Sequence, residues 1–95
     1  MTYINQDIRY TWTFIVDFEG GTYISQFKEK SMAQAIEAYN KTDPSGRGIV
    51  PLSTDPSDAP VAIAGLTSVW CTSGFTEVSD KHFLVNIVKT DCGAM

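Results

Sequence analysis

Cysteine, histidine and cationic side chains are all scarce in this 95-residue chain, and each scarcity narrows what it can do. The two cysteines, Cys71 and Cys92, are too few for a disulfide framework or a four-cysteine zinc site. Their paucity fits cytoplasmic residence, with Cys71 expected as a small core residue. Since His82 is the one histidine, a two-histidine metal site is impossible and no metal is expected. Seven Lys and Arg against eleven Asp and Glu leave a formal charge of −4. The cations are scattered rather than striped, so nucleic acid is not an expected partner. Long hydrophobic runs are missing too. The longest, "VAIAGL", is six residues, far short of a membrane span. The opening "MTYINQDIRY" has neither a cationic start nor an apolar stretch, so no secretory signal is expected. There is no Gly-rich dinucleotide fingerprint, CxxC pair or HExxH helix, and the sequence assigns no cofactor and no catalytic residue.

What is present is the material of a core. Hydrophobic residues make up 43% and aromatics 12%, enough for one domain spanning 1–95 and too much for a disordered chain. The stretch "FIVDFEGGTYISQF" reads as a β-hairpin. Trp12, Phe14, Val16 and Phe18 alternate, as do Tyr23 and Phe27, so each set shares one face of its strand. Gly20-Gly21 supplies positive φ angles for a tight turn, which predicts Phe18 opposite Tyr23 and Phe14 opposite Phe27. The other face holds Thr11, Thr13, Ile15 and Asp17 against Ile24, Gln26 and Lys28.

A helix should follow. Ser31 is a good N-cap, Gln34 stands at capping-box distance, and Met32, Ala35, Ile36 and Tyr39 form an apolar stripe. This stripe reads as core packing on the aromatic face. Asn40, Lys41 and Thr42 weaken the pattern and Pro44 ends it. Every proline lies between Pro44 and Pro60, so 43–60 is expected as a long surface loop with a short extended piece at 49–52. "SGRG" within it lacks the lysine and the strand-to-helix context of a phosphate loop, and Arg47 is the cation to watch there.

The last third predicts a second hairpin, from Leu66–Ser73 and His82–Thr90 around a 74–81 loop, with a frayed tail at 91–95. Phe83, Val85 and Ile87 alternate on one side, yet Leu84 and Val88 make the other side apolar as well. Two pairings could carry chemistry. Cys71 and His82 form a conceivable nucleophile–base couple, though a Cys in "SVWCTS" reads as buried. Asp17 and Glu19 could act as paired carboxylates, but a solvated turn explains them better.

The segment "FIVDFEGGTYISQFKEKSMAQAIEAY" resembles the opening of HicB-like antitoxins and of several small bacterial immunity-type proteins. The shared feature is the order strand, Gly-containing turn, strand, helix with an Ala-rich stripe; no individual residue role carries over. The expected fold is therefore α+β, ββαββ, one helix on a mainly antiparallel four-stranded sheet. The resemblance implies a protein partner and inhibition of a bacterial protein, in a non-enzymatic interaction module. The candidate surface is Ile15, Asp17, Ile24, Gln26 and Arg47. One helix covers one face, so Ile15 and Ile24, with one alternating set from the second hairpin, should pack against a second copy in a twofold dimer, the competing covers being a different protein or the 43–60 loop folded back across that face. The alternative is a small enzyme or ligand-binding domain using the 43–60 loop with Cys71 and His82.

Overall fold

The computed structural model describes residues 8–42, 52–76 and 81–91. It is an α+β domain in which, among the described residues, a single α-helix lies on an antiparallel sheet. The strands are β1 (Tyr10–Phe18), β2 (Gly21–Glu29), β3 (Val61–Ala62), β4 (Val69–Phe75) and β5 (His82–Asp91), with helix α1 (Met32–Asn40) between β2 and β3. The sheet order is β2-β1-β5-β4-β3, five strands rather than the four expected. The additional strand is the two-residue β3, too short for alternation to reveal.

The first hairpin turns one residue earlier than Gly20-Gly21. Phe18 faces Gly21, so Glu19 and Gly20 are the two turn residues, with φ of 49° and 81°. Trp12 therefore faces Phe27, Phe14 faces Ser25 and Val16 faces Tyr23. The expected Phe18–Tyr23 and Phe14–Phe27 pairs are each displaced by two residues. Strand parity survives such a shift, so all the aromatics stay on the same face, and Phe14 and Phe27 still meet diagonally, edge to face at 5.6 Å. The polar face favours the observed register. It places Ile15 opposite Ile24, lets Gln26 Nε2 donate to Thr13 Oγ1 at 2.9 Å, and lets Thr22 Oγ1 donate to Asp17 Oδ1 at 3.0 Å. Gly21 serves closeness rather than a positive φ angle, since the Tyr23 ring lies over it. A Cβ there would stand 2.8 Å from the Tyr23 hydroxyl.

Helix α1 begins as its sequence indicates, with Ser31 Oγ accepting from the Gln34 amide at 3.2 Å. Ala35, Ile36 and Tyr39 are buried and Met32 packs at the margin. The core joins them to Trp12, Phe14, Val16 and Phe18 of β1 and Phe83, Val85 and Ile87 of β5, with Tyr23, Phe27 and Trp70 packed against it. Tyr39 stacks on Phe14 with ring centroids 4.9 Å apart. Trp12 keeps its indole N–H satisfied by donating to the Glu29 carbonyl at 3.0 Å.

After the helix, Leu52 re-enters the core, 6% exposed. Asn40 holds it in strand-like fashion: its Nδ2 donates to the Leu52 carbonyl at 3.0 Å while its Oδ1 accepts from the Leu52 amide at 2.8 Å. Of the extended piece expected at 49–52, only Leu52 is described. The chain then makes a short 3-10 turn at Pro56–Asp58. Asp55 caps this turn by accepting from the Ser57 amide and hydroxyl, both at 3.0 Å. Those bonds hold the Asp55 carboxyl below the usual carboxylate range.

The second hairpin differs in its bounds. β4 begins at Val69 rather than Leu66, because residues 63–68 make the connection from β3, with Gly65 and Ser68 at φ of 84° and 62°. β4 also runs on through Gly74 and Phe75, two residues of the expected 74–81 loop. Gly74 leaves room for the buried Phe83 ring; a Cβ there would stand 2.9 Å from its Cζ. Thr76 closes the hairpin, its amide donating to the Lys81 carbonyl at 2.8 Å and its Oγ1 accepting from the Lys81 amide at 3.0 Å. β5 takes in Asp91, the first residue of the expected tail; residues 92–95, Cys92 among them, lie outside the described residues.

Candidate functional site

Helix α1 covers the aromatic face, and the opposite face of the sheet stays open except at its β3–β4 end, where Ser53, Ser57, Asp58 and Ala59 border a cavity of about 560 Å³ with Val61, Cys71, Ser73 and Leu84. Its composition follows from the ladders. Ile24 pairs with Ile15, Ile15 with Asn86, Asn86 with Cys71, and Cys71 with Val61. These five side chains form one transverse row to which every strand contributes. On the turn side lies the row Thr22, Asp17, Leu84, Ser73, and on the other side the row Gln26, Thr13, Val88, Val69. Lys28, Thr11 and Thr90 end the face at one margin, and His82 with Phe75 at the other.

Much of this surface is apolar and wet. Ile24 is 65% exposed, Val61 67%, Phe75 56% and Leu84 49%. Ile15, Val69 and Val88 are half-buried. Full charges are few: among the residues of these rows, Asp17 and Lys28 carry them, besides the titratable His82 at the margin. A wet sheet face usually carries interspersed polar and charged side chains, so exposed aliphatics with so little charge are the feature that calls for an account.

Of the predicted surface residues, Ile15, Asp17, Ile24 and Gln26 share this face, gathered at its β1–β2 end. Arg47 lies outside the described residues. The alternating set that the second hairpin is expected to place beside Ile15 and Ile24 is Leu84, Asn86 and Val88 of β5, and Val61 joins from the unexpected β3. The apolar second side of "HFLVNIVKT" was the available signal, but their alignment with Ile15 depends on the β1–β5 ladder, which has no local signature.

Two chemical candidates are placed differently from expectation. Cys71 is a free, exposed thiol, not a core residue. The odd-numbered positions of β4 point away from the helix, and Trp70 takes the inward place instead. His82 shares the face with Cys71 but pairs with Phe75, four ladder positions from Cys71, or about 13 Å, too far for a proton to pass directly. His82 instead packs against the Phe75 ring at 5.2 Å. Asp17 and Glu19 are also engaged, Asp17 with Thr22 and Glu19 in an ion pair with Lys81 at 3.3 Å. Among the described residues no three His, Cys, Asp or Glu side chains group as metal ligands, and no helix is long and apolar enough to cross a membrane.

A cavity of about 400 Å³ lies on the helix side, between α1 and the segment 53–60. Met32, Ile36, Pro56 and Pro60 make its wall largely apolar, and Glu37 and Asp55 also border it. No family model matches this chain, and no curated protein or solved structure is matched by it either.

Proposed function

We propose that this protein is a small interaction module that binds another protein through the open face of its sheet. The observation that carries the reading is the exposed aliphatic surface of Ile24, Val61 and Leu84 beside half-buried Ile15, on a face with little charge. Burying that surface contributes roughly 25 cal/mol for each Å² of apolar area removed from water. The hairpin-and-helix order at the start of the chain, which resembles that of HicB-like antitoxins, favours inhibition of a bacterial protein as the outcome of binding. Cys71 and His82 are too far apart to act as a couple, so binding accounts for this face better than catalysis does. Affinity capture from bacterial lysate tests the reading, with Ile24→Lys/Leu84→Lys as the control. Proteins held by the wild type and released by the double variant support it. An identical profile for both refutes it.

The cavity beside α1 favours a second reading, that of a ligand-binding domain using residues 53–60. An apolar small molecule seated there should protect the Met32 and Ile36 side chains. Titration with an environment-sensitive apolar dye, with Ile36→Ala as the comparison, distinguishes it, because that site lies on the opposite side of the sheet from Ile24.

A further inference from the structure

We infer that the protein bound by the open face is a second copy of this chain, packed face to face about a twofold axis that lies along the row Ile24, Ile15, Asn86, Cys71, Val61. The inference rests on the interaction reading above and names its partner. Area is the first support. The four long strands, seven to ten residues each and about 4.8 Å apart, with the two-residue β3 beside them, present roughly 600 Å² per copy, or about 1,200 Å² for two, the lower limit of a stable specific interface.

The direction of the axis follows from strand lengths. An axis parallel to the strands would set the nine-residue β2 over the two-residue β3 and waste much of that area. An axis across the strands sets every strand over its own copy. The Ile24 row is the middle row of the face and the one to which every strand contributes, so an axis along it gives the greatest overlap.

Complementarity is the second support. On this axis Ile24 and Ile15 meet their own copies, apolar on apolar. Asn86 also meets itself, and a carboxamide carries both donors and an acceptor, so two amides can satisfy each other. The flanking rows exchange places. Val88 of one copy falls over Leu84 of the other, Gln26 over Thr22, and Thr13, a hydroxyl donor, over the Asp17 carboxylate. Lys28 falls over the Glu19–Gly20 turn of its copy. Among the side chains of these rows no full charge meets its own sign, which a like-charged row on the axis could not avoid.

Cys71 reports the geometry directly, since on the axis it faces its own copy. The test uses the full chain carrying Cys92→Ser, so that any crosslink belongs to Cys71. Sedimentation velocity over a wide concentration range should show a monomer–dimer equilibrium, and a short bifunctional maleimide should join Cys71 to Cys71. Ile24→Lys sets two ammonium groups face to face and should weaken the dimer by more than about a hundredfold while circular dichroism and Tm stay near wild type. Asn86→Asp should weaken it at neutral pH and less so in acid, where the facing carboxylates protonate. A dimer that tolerates Ile24→Lys, or one that forms no Cys71 crosslink, overturns the arrangement. A monomer at every concentration overturns self-pairing. If lysate capture by that monomer still depends on Ile24 and Leu84, the interaction reading stands with a different partner; if it does not, both fall.

Discussion

Replacing Phe14 by alanine should destabilise the fold by about 3–5 kcal/mol, the range for emptying a buried aromatic site. The position warrants the full range. Phe14 is completely buried, stacked on Tyr39 at 4.9 Å and edge-on to Phe27 at 5.6 Å, so neither neighbour can collapse into the void without leaving its own packing. At about 0.05–0.15 kcal/mol per residue, a domain of 95 residues has roughly 5–14 kcal/mol of total stability. The loss is thus a large share of the whole, and Tm should fall by about 12 °C or more. Phe14→Leu keeps a measurable folded state should the alanine variant unfold outright. Urea titration of Phe14→Leu, Tyr39→Leu and the double variant should give a coupling of about 0.5–1.5 kcal/mol for the stacked pair. Thr13→Ala, one residue away on the open face, should change stability by no more than about 1.5 kcal/mol, its Gln26 hydrogen bond being its main loss. If Phe14→Ala costs less than about 1 kcal/mol, or if the double variant is strictly additive, the helix does not pack on β1 as described.

Three further outcomes are expected. Glu19→Asn should stabilise the hairpin by a few tenths of a kcal/mol up to about 1, because asparagine tolerates φ of 49° better than glutamate, against an exposed Lys81 ion pair worth little; thermal melts in high salt should widen the gain, and a loss that persists there would contradict it. Gly74→Ala should cost about 1–3 kcal/mol, since the new methyl meets the buried Phe83 ring at 2.9 Å, and chemical denaturation showing no change would mean that ring has room to move. The folded-state pKa of Asp55 is depressed, so its contribution is present above the usual carboxylate range and is lost as pH falls through that range toward the lower folded value. Acid unfolding of Asp55→Ala should therefore show a shallower slope there than the wild type, and coincident curves would remove the capping role.

The hairpin, the helix and the aromatic core were legible along the chain because their determinants are local. Alternation at period two put Trp12, Phe14, Val16 and Phe18 on one face, and the Ser31 cap with the Met32–Tyr39 stripe fixed the start and the buried side of the helix. The turn was legible only to within one residue. "EGG" offers two ways to place a tight turn, and both keep the aromatics together. Pairs on the opposite face, Thr13 with Gln26 and Asp17 with Thr22, favour one of them, and those residues look unremarkable in sequence.

Asn40 makes the same point. Along the chain it weakens a helix, whereas in three dimensions its carboxamide imitates a strand and anchors Leu52, twelve residues on, to the helix end. Cys71 was misplaced because apolar neighbours are a poor guide to facing in a strand: the ladder with β5 turns Trp70 inward and Cys71 outward. The row of the candidate surface draws on residues 15, 24, 61, 71 and 86, and nothing local ties β1 to β5. Period and turn chemistry act over a few residues, so composition and pattern could say which side of each strand is apolar. Which apolar sides lie next to one another, and which of them the single helix leaves uncovered, follows from ladder pairings between distant segments.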